Sequence, residues 1–314
     1  MAEKKIFLIQ KAMLRVVYAL IPPVIASIYL FGWRSLILIV VVSAFGIGAE
    51  ALFTVKQGKP ITSAIFVTCL IFSLSLPPTI PFWMAIIGIL AGVIFGKMAF
   101  GGFGQNVFNP AMVGRCFIYI AFPTAMTTLW VEPFSGGAGG YASWTQSIDA
   151  MTRATPLAEI KRGAASSLSD LFFGNVAGSL GETSALLIIL GGIFIIYKKA
   201  ASWRLALSCL VGGILISSAL RGAGVSDVAS LVSPLLSGSF LFGSAFVVTE
   251  PISGPKTHWG QWAYGFMIGG LTMIFREYSN FMEGFMFAVI LMNAFVPILD
   301  YMVRRLQGPK KVSA

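Results

Sequence analysis

The sequence predicts an all-α polytopic membrane protein with about ten transmembrane helices. Three observations carry that expectation. Of 314 residues, 57% are apolar and only 11% charged, and a soluble domain of this length could not hide so much apolar surface. The apolar residues come in runs near the length of about 20 residues that crosses a bilayer. Lys and Arg gather at the ends of those runs, mostly on one predicted side.

Residues Met1 to Lys11 are basic and mixed in polarity and lack a small-residue cleavage site, so they read as retained rather than as a removable signal peptide. The expected spans of the first half are Leu14–Leu30, Ser35–Val55, Ile61–Leu76, Phe82–Phe100 and Ala111–Phe122. Those of the second are Ser184–Tyr197, Trp203–Leu220, Leu235–Val248, Trp259–Phe275 and Phe281–Val303. With the N-terminus inside, 16 of the Lys and Arg residues, Lys97 and Arg115 among them, fall on the cytoplasmic side. Only 6, including Arg153 and Arg276, fall opposite. The excess sets both termini in the cytoplasm and the interval Pro123–Glu182 outside. Trp33, Trp83, Trp130, Trp203 and Trp259 lie near span ends, as an interfacial aromatic belt requires.

Five spans on each side of the long loop give the second half the opposite orientation, a precondition for an inverted repeat. Each half has a proline-broken stretch, Leu76-Pro77-Pro78-Thr79-Ile80-Pro81 in one and Val232-Ser233-Pro234 in the other. The chain divides accordingly into residues 1–122, a loop 123–182, and residues 183–314. The loop is rich in Gly, Ser, Ala and Thr, with a turn-forming stretch at Gly136–Gly140. It is too short and polar for a core of its own, so it is expected to pack on the spans, and loops of this size usually serve a function.

Several chemistries are disfavoured. Cys69, Cys116 and Cys209 are far apart in apolar runs, without metal-ligand spacing, and read as small packing residues. A single His258 argues against a His/Cys metal site. The positive charges follow span ends and form no basic stripe for nucleic acid.

Three constellations remain. Within the loop, Asp149-Ala150-Met151-Thr152-Arg153-Ala154-Thr155-Pro156-Leu157 reads D-x-x-T-x-A-T-P-L. Thr155 followed by proline is also an ordinary helix start, and Asp149 and Thr152 are ordinary cap residues. A phosphate at such a helix start meets free N–H groups and a favourable dipole, to which Arg153 could add a charged contact. The second constellation is the glycine-rich run Phe100–Arg115, where Asn106 and Asn109 place amides at a membrane boundary before the break at Pro110. On composition it reads first as a glycine-rich cytoplasmic loop with satisfied amides, and no Lys-Ser/Thr follows to make a phosphate loop. The third is a pair of acidic residues in apolar surroundings, Glu50 and Glu250. A carboxylate at membrane depth is costly and marks a site unless it snorkels to water.

The loop motif resembles the flavin-attachment motif of one membrane family. That family contains the D subunit of the Rnf electron-transport complex and the B subunit of the Na+-translocating NADH:quinone reductase. The resemblance covers essentially the whole chain. It implies FMN joined through its phosphate to Thr155, with Asp149 and Thr152 read by the flavin transferase that attaches it. Gly is frequent in the family where this chain has Arg153, and Ala154 keeps the pattern. The run Gly101–Arg115 resembles a family block beside which a second, non-covalent flavin (riboflavin) binds, making Asn106 and Asn109 candidates. Acidic residues matching Glu50 and Glu250 are implicated in cation uptake. The implied fold is two inverted five-helix halves similar to urea and ammonium transporters. The implied role is an electron carrier between ferredoxin and NAD+, coupled to Na+ or H+ movement. It would work in the cytoplasmic (inner) membrane with the A, B, C, E and G subunits and have no isolated activity. Chain length points to Rnf over the quinone reductase, whose subunit carries a longer N-terminal extension. A secondary transporter or channel without flavin, and a structural scaffold, are the competing readings.

Overall fold

Most of the apolar runs become helices, some of them across internal prolines, Pro22 and Pro23 in the first and Pro297 in the last. A computed structural model describes residues 7–134, 136–145, 157, 167–225, 231–279 and 283–307. The helices are α1 (Lys11–Phe31), α2 (Trp33–Lys56), α3 (Ala64–Leu74), α4 (Phe82–Gly96), α5 (Pro110–Ala121) and α6 (Pro123–Thr128). After the loop come α7 (Leu168–Phe173), α8 (Ala185–Tyr197), α9 (Trp203–Gly222), α10 (Ser239–Phe242), α11 (His258–Tyr278) and α12 (Phe285–Gln307). Five segments are long and apolar enough to cross a membrane: Lys11–Phe31, Trp33–Lys56, Phe82–Phe100, Trp203–Gly222 and Phe285–Gln307. The chain is a polytopic, helical membrane protein.

Several expected spans are shorter or more broken than their hydropathy suggests. The third starts at Ala64, because Ile61 and Thr62 pair in parallel with Phe7 and Leu8 as a two-residue ladder. It stops at Leu74, short of Pro77 and Pro78, which supply no N–H and disfavour helix in the residue before each. The eighth is a turn at Ser233–Leu236, Gly238 at φ 63°, α10, and a π-helical turn over Gly243–Val247. The tenth begins at Phe285, four residues later than expected.

The carbonyls freed where α3 ends are met by the loop. Gly181 N–H donates to Leu74 O at 2.8 Å and Leu180 N–H to Leu76 O at 3.1 Å, as a buried helix end requires. Arg34 donates to the carbonyls of Pro78 and Ile80. The early loop is stitched to the α1–α2 corner: Trp33 N–H donates to Ser143 O and Phe134 N–H to Leu30 O. The loop therefore packs on the helices at both ends, in line with its composition.

α1 packs on α2, α3 and α8, while α5 packs on α3, α4 and α12. The tightest crossing is α9 on α11. A Cβ added at Gly269 would lie 2.0 Å from Cys209 O, and one at Gly212 would lie 2.2 Å from Phe266 O. Small residues let the two backbones approach, the usual device where lipid removes the hydrophobic drive between helices. Gly269→Val is expected to lower stability by about 1–3 kcal/mol, the usual overpacking cost. Gly48→Ala, whose added Cβ meets nothing within 4 Å, is the control in thermal unfolding of the detergent-purified protein.

The expected aromatic belt holds for four residues. Trp33, Trp83, Trp203 and Trp259 are exposed at helix starts, but Trp130, within the loop, is buried in the cavity wall. The charge count needs a matching correction: Lys97, Arg115 and Arg276, assigned above to the two sides, are buried. Removing them leaves the excess on the same side.

Candidate functional site

Buried polar side chains gather into three networks. The first unites two sequence candidates. Asn109 caps α5, its Oδ1 accepting from Ala111 N at 3.0 Å and Met112 N at 3.2 Å, with Pro110 starting the helix. Its Nδ2 donates to Glu250 Oε2 at 3.0 Å, across 141 residues of sequence. Ser253 Oγ donates to the same oxygen at 2.5 Å. Asn293 on α12 accepts from Asn109 N–H at 3.3 Å and donates to Ser253 O and to the Tyr264 hydroxyl. Asn106 is buried, its amide donating to Phe108 O at 3.2 Å. Three glycines in this run, Gly101, Gly102 and Gly104, take positive φ, which is what folds the chain back on itself here.

The second network surrounds Glu50, in the last two turns of α2 and 1% exposed. Lys97 Nζ donates to Glu50 Oε2 at 2.7 Å and to Thr62 Oγ1 at 3.0 Å. Thr62 donates its hydroxyl to Glu50 Oε1 at 2.8 Å and its N–H to the same atom at 3.2 Å. Both carboxylate oxygens are thus engaged, and a cation arriving at Glu50 meets a lysine already in place. Lys97 also lies 5.9 Å from the Phe103 ring centre, linking this network to the glycine-rich loop.

The third was not anticipated. Arg115, mid-way along α5 and 2% exposed, donates to Glu182 Oε1 at 2.6 Å and to Glu283. Glu182 is held by the Leu180–Gly181 contacts to the end of α3. Burial pushes its carboxyl up to about 7, against the downward pull of Arg115. Arg276 on α11 donates to Pro234 O and Ser237 O beside the broken eighth span. A cavity of about 20 Å³ lies at this cluster, lined by Glu182, Glu283, Ser179, Thr183, Ser237, Gly238, Trp130 and Leu157 among others.

Arg115 and Lys97 fall inside predicted spans, and an ionisable residue in a span is the signal that would have singled them out. Glu283 lies inside the expected span Phe281–Val303 and carried the same signal, whereas Glu182 and Asn293 gave none, since their partners lie far off in sequence. Asp149, Thr152, Arg153, Ala154 and Thr155 lie outside the described residues. Leu157, two positions after Thr155, is described, and it is buried in the cavity wall.

Fold and networks together define a multi-pass membrane protein with paired charges buried between its helices. Residues 4–307 match the model of the NQR2, RnfD, RnfE family. The chain belongs to that family. It is 38% identical over 265 residues to the B subunit of the Na(+)-translocating NADH-quinone reductase of Pseudoalteromonas atlantica, covering 81% of this chain and 62% of that one. It is 35% identical over 266 residues to the same subunit of Pseudomonas paraeruginosa, covering 81% and 63%. Against the D subunit of the ion-translocating oxidoreductase complex of Marinobacter nauticus it is 34% identical over 311 residues, covering 93% and 89%. The chain thus spans 62% of the first of these reductase subunits.

Proposed function

We propose that this chain is an electron-carrying subunit of an ion-translocating oxidoreductase complex, with FMN esterified through its phosphate to Thr155. The observation that carries the reading is the D-x-x-T-x-A-T motif at Asp149–Thr155 in a chain of this family. The match to a D subunit over most of both chains supports the Rnf type, relaying electrons between ferredoxin and NAD+ with Na+ or H+ movement. The higher identity to a B subunit favours, as the second reading, a quinone-reductase type.

The tether suits the residues around it. Leu157, two residues after Thr155 in sequence, is buried, and a proline after the attachment residue suits a helix start, where free N–H groups favour a phosphate. When bound, FMN supplies one- and two-electron chemistry, and the protein supplies position and dielectric. The cavity beside Leu157 holds a water-sized guest and is too small for the ring. In this reading residues 123–182 form the flavin-bearing loop outside the membrane, between inverted five-helix halves at 1–122 and 183–314. The proline breaks after Leu74 and around Gly238, and the packing of α1 on α8 and α5 on α12, support that arrangement. Both termini are then cytoplasmic in the inner membrane, and the other Rnf subunits and a flavin transferase are partners. A second flavin is placed by resemblance near Asn106 and Asn109, and Glu50 and Glu250 stay ion-pathway candidates.

Coexpressed with its flavin transferase, the wild-type protein is expected to fluoresce as a denatured gel band and to carry the added mass of one flavin phosphate. Thr155→Val is expected to lose both signals entirely. Fluorescence retained in Thr155→Val moves the attachment elsewhere, and no fluorescence in the wild type returns the chain to the transporter reading.

A further inference from the structure

Among the described residues, eight buried side-chain polar atoms lack a hydrogen-bond partner, and four belong to one neighbourhood: Glu182 Oε2, Ser179 Oγ, Arg115 Nε and Arg276 Nε. Glu182 and Ser179 are 4% and 1% exposed, and both line the 20 Å³ cavity. The Ser179 hydroxyl is near enough to favour the charged form of Glu182 without closing a hydrogen bond to it. The polar side chains lining it are the carboxylates and hydroxyls of Glu182, Glu283, Ser179, Thr183 and Ser237, with the indole of Trp130. Arg115 and Arg276 do not line it. A space of this size admits one water or one small ion, and carboxylate and hydroxyl oxygens are the donors that hard cations select.

We infer that this cavity is an exchangeable site for one monovalent cation, Na+ or a proton, held by Glu182 Oε2 and Ser179 Oγ. Charge decides when it fills. Arg115 and Arg276 balance Glu182 and Glu283, so the empty cluster is formally neutral. A cation entering it adds a buried net positive charge, which is costly without compensation. Leu157, two residues after Thr155 in sequence, is part of the cavity wall. An electron delivered to a group tethered at Thr155, from a reduced one-electron carrier of a neighbouring subunit, supplies one negative charge. One cation then enters from the aqueous phase on the loop side, and leaves when the electron moves on. Electron and cation balance one for one. This timing rests on the flavin reading, while the site itself does not. The titratable groups facing Glu182 are Arg115 on α5, Arg276 on α11 and Glu283 before α12, and Tyr119 on α5 faces Glu283 and Arg115. Glu182 itself, held up to about 7, is the group that changes charge near neutral pH.

The purified complex, carrying this chain as wild type, Ser179→Ala or Glu182→Gln, tests the site in two ways. Ser179→Ala removes an unpartnered hydroxyl and keeps every ion pair, so it is the variant expected to fold normally. Without reference to flavin, NaCl is expected to raise the thermal midpoint of the wild type more than choline chloride at equal ionic strength if the ion is Na+. If it is a proton, lowering the pH through 7 raises the midpoint instead. Ser179→Ala is expected to weaken the responding titration at least tenfold. In the flavin-loaded complex, the potential of the covalent flavin is expected to follow the same ion, and to follow it less in Ser179→Ala and Glu182→Gln. A Ser179→Ala complex that keeps the wild-type response to both Na+ and pH overturns the site and leaves a buried water. Loss of the thermal response in Ser179→Ala, in protein without in-gel fluorescence, upholds the site and removes the flavin reading alone.

Discussion

Arg115→Ala is expected to cost about 3–5 kcal/mol, enough to leave little folded protein in the membrane. The guanidinium is 2% exposed and donates to two carboxylates, Glu182 and Glu283, from the middle of an apolar helix. Removing it converts a neutral cluster into one with an unmatched negative charge at a place water does not reach. Three segments lose their common tie: α5, the turn after Leu180, and the start of α12. The deficit has a direction in pH. In the variant the Glu182 carboxyl, already raised by burial, loses the guanidinium that pulls it down, so its folded value rises further. A raised carboxylate value means stability present at low pH and lost as the pH climbs through that value. The gap between variant and wild type should therefore narrow on acidification and widen toward neutral pH. Arg115→Lys keeps the charge but replaces a planar fork by one point donor, and is expected to fall between the two. Folded yield by detergent size-exclusion, with thermal unfolding at pH 5 and pH 8, checks all three. A pH-independent loss in Arg115→Ala would mean that the cluster's carboxylates are already neutral in the wild type.

Composition and charge position carried the architecture a long way. Long apolar runs such as Trp33–Lys56 were legible because nothing interrupts their hydropathy. The third and eighth spans were not. Proline and glycine act there on backbone geometry, which hydropathy does not register, and the freed carbonyls of Leu74 and Leu76 are met by loop amides about a hundred residues away. The same distance in sequence hid half of each polar network. Asn109 and Glu250 were each legible, as an amide before a proline break and an acid in an apolar run. That they touch is a product of the fold. Lys97 and Arg115 were counted as loop charges because a span end and a span interior differ by only a few residues. Thr155, singled out by its motif together with the loop length and the flanking spans, lies outside the described residues.

The buried Glu50–Lys97 pair offers a test of whether Glu50 holds the fold or carries an ion. Lys97→Met alone is expected to cost about 3–5 kcal/mol, because it strands a carboxylate that is 1% exposed with only Thr62 to hold it. Glu50→Gln alone should cost less, since an amide oxygen still accepts from Thr62 while Lys97 loses only its charged partner. Combined, Glu50→Gln with Lys97→Met leaves no buried charge and keeps the Thr62 contacts. Replacing a buried pair by neutral groups of similar volume is often neutral or stabilising, so the double variant is expected to regain most of the stability lost in Lys97→Met. The interaction free energy from that cycle should reach a few kcal/mol, the range for residues in one network. Ion-coupled electron transfer in the reassembled complex is then an independent test of the same pair. If Glu50 carries ions, the double variant is folded and uncoupled, because the carboxylate that must exchange its lysine for an ion is gone. If the double variant is folded and fully coupled, Glu50 and Lys97 are a structural clamp joining α2, Thr62 and the end of α4, and the pathway runs through Glu250 or the Arg115 cluster instead.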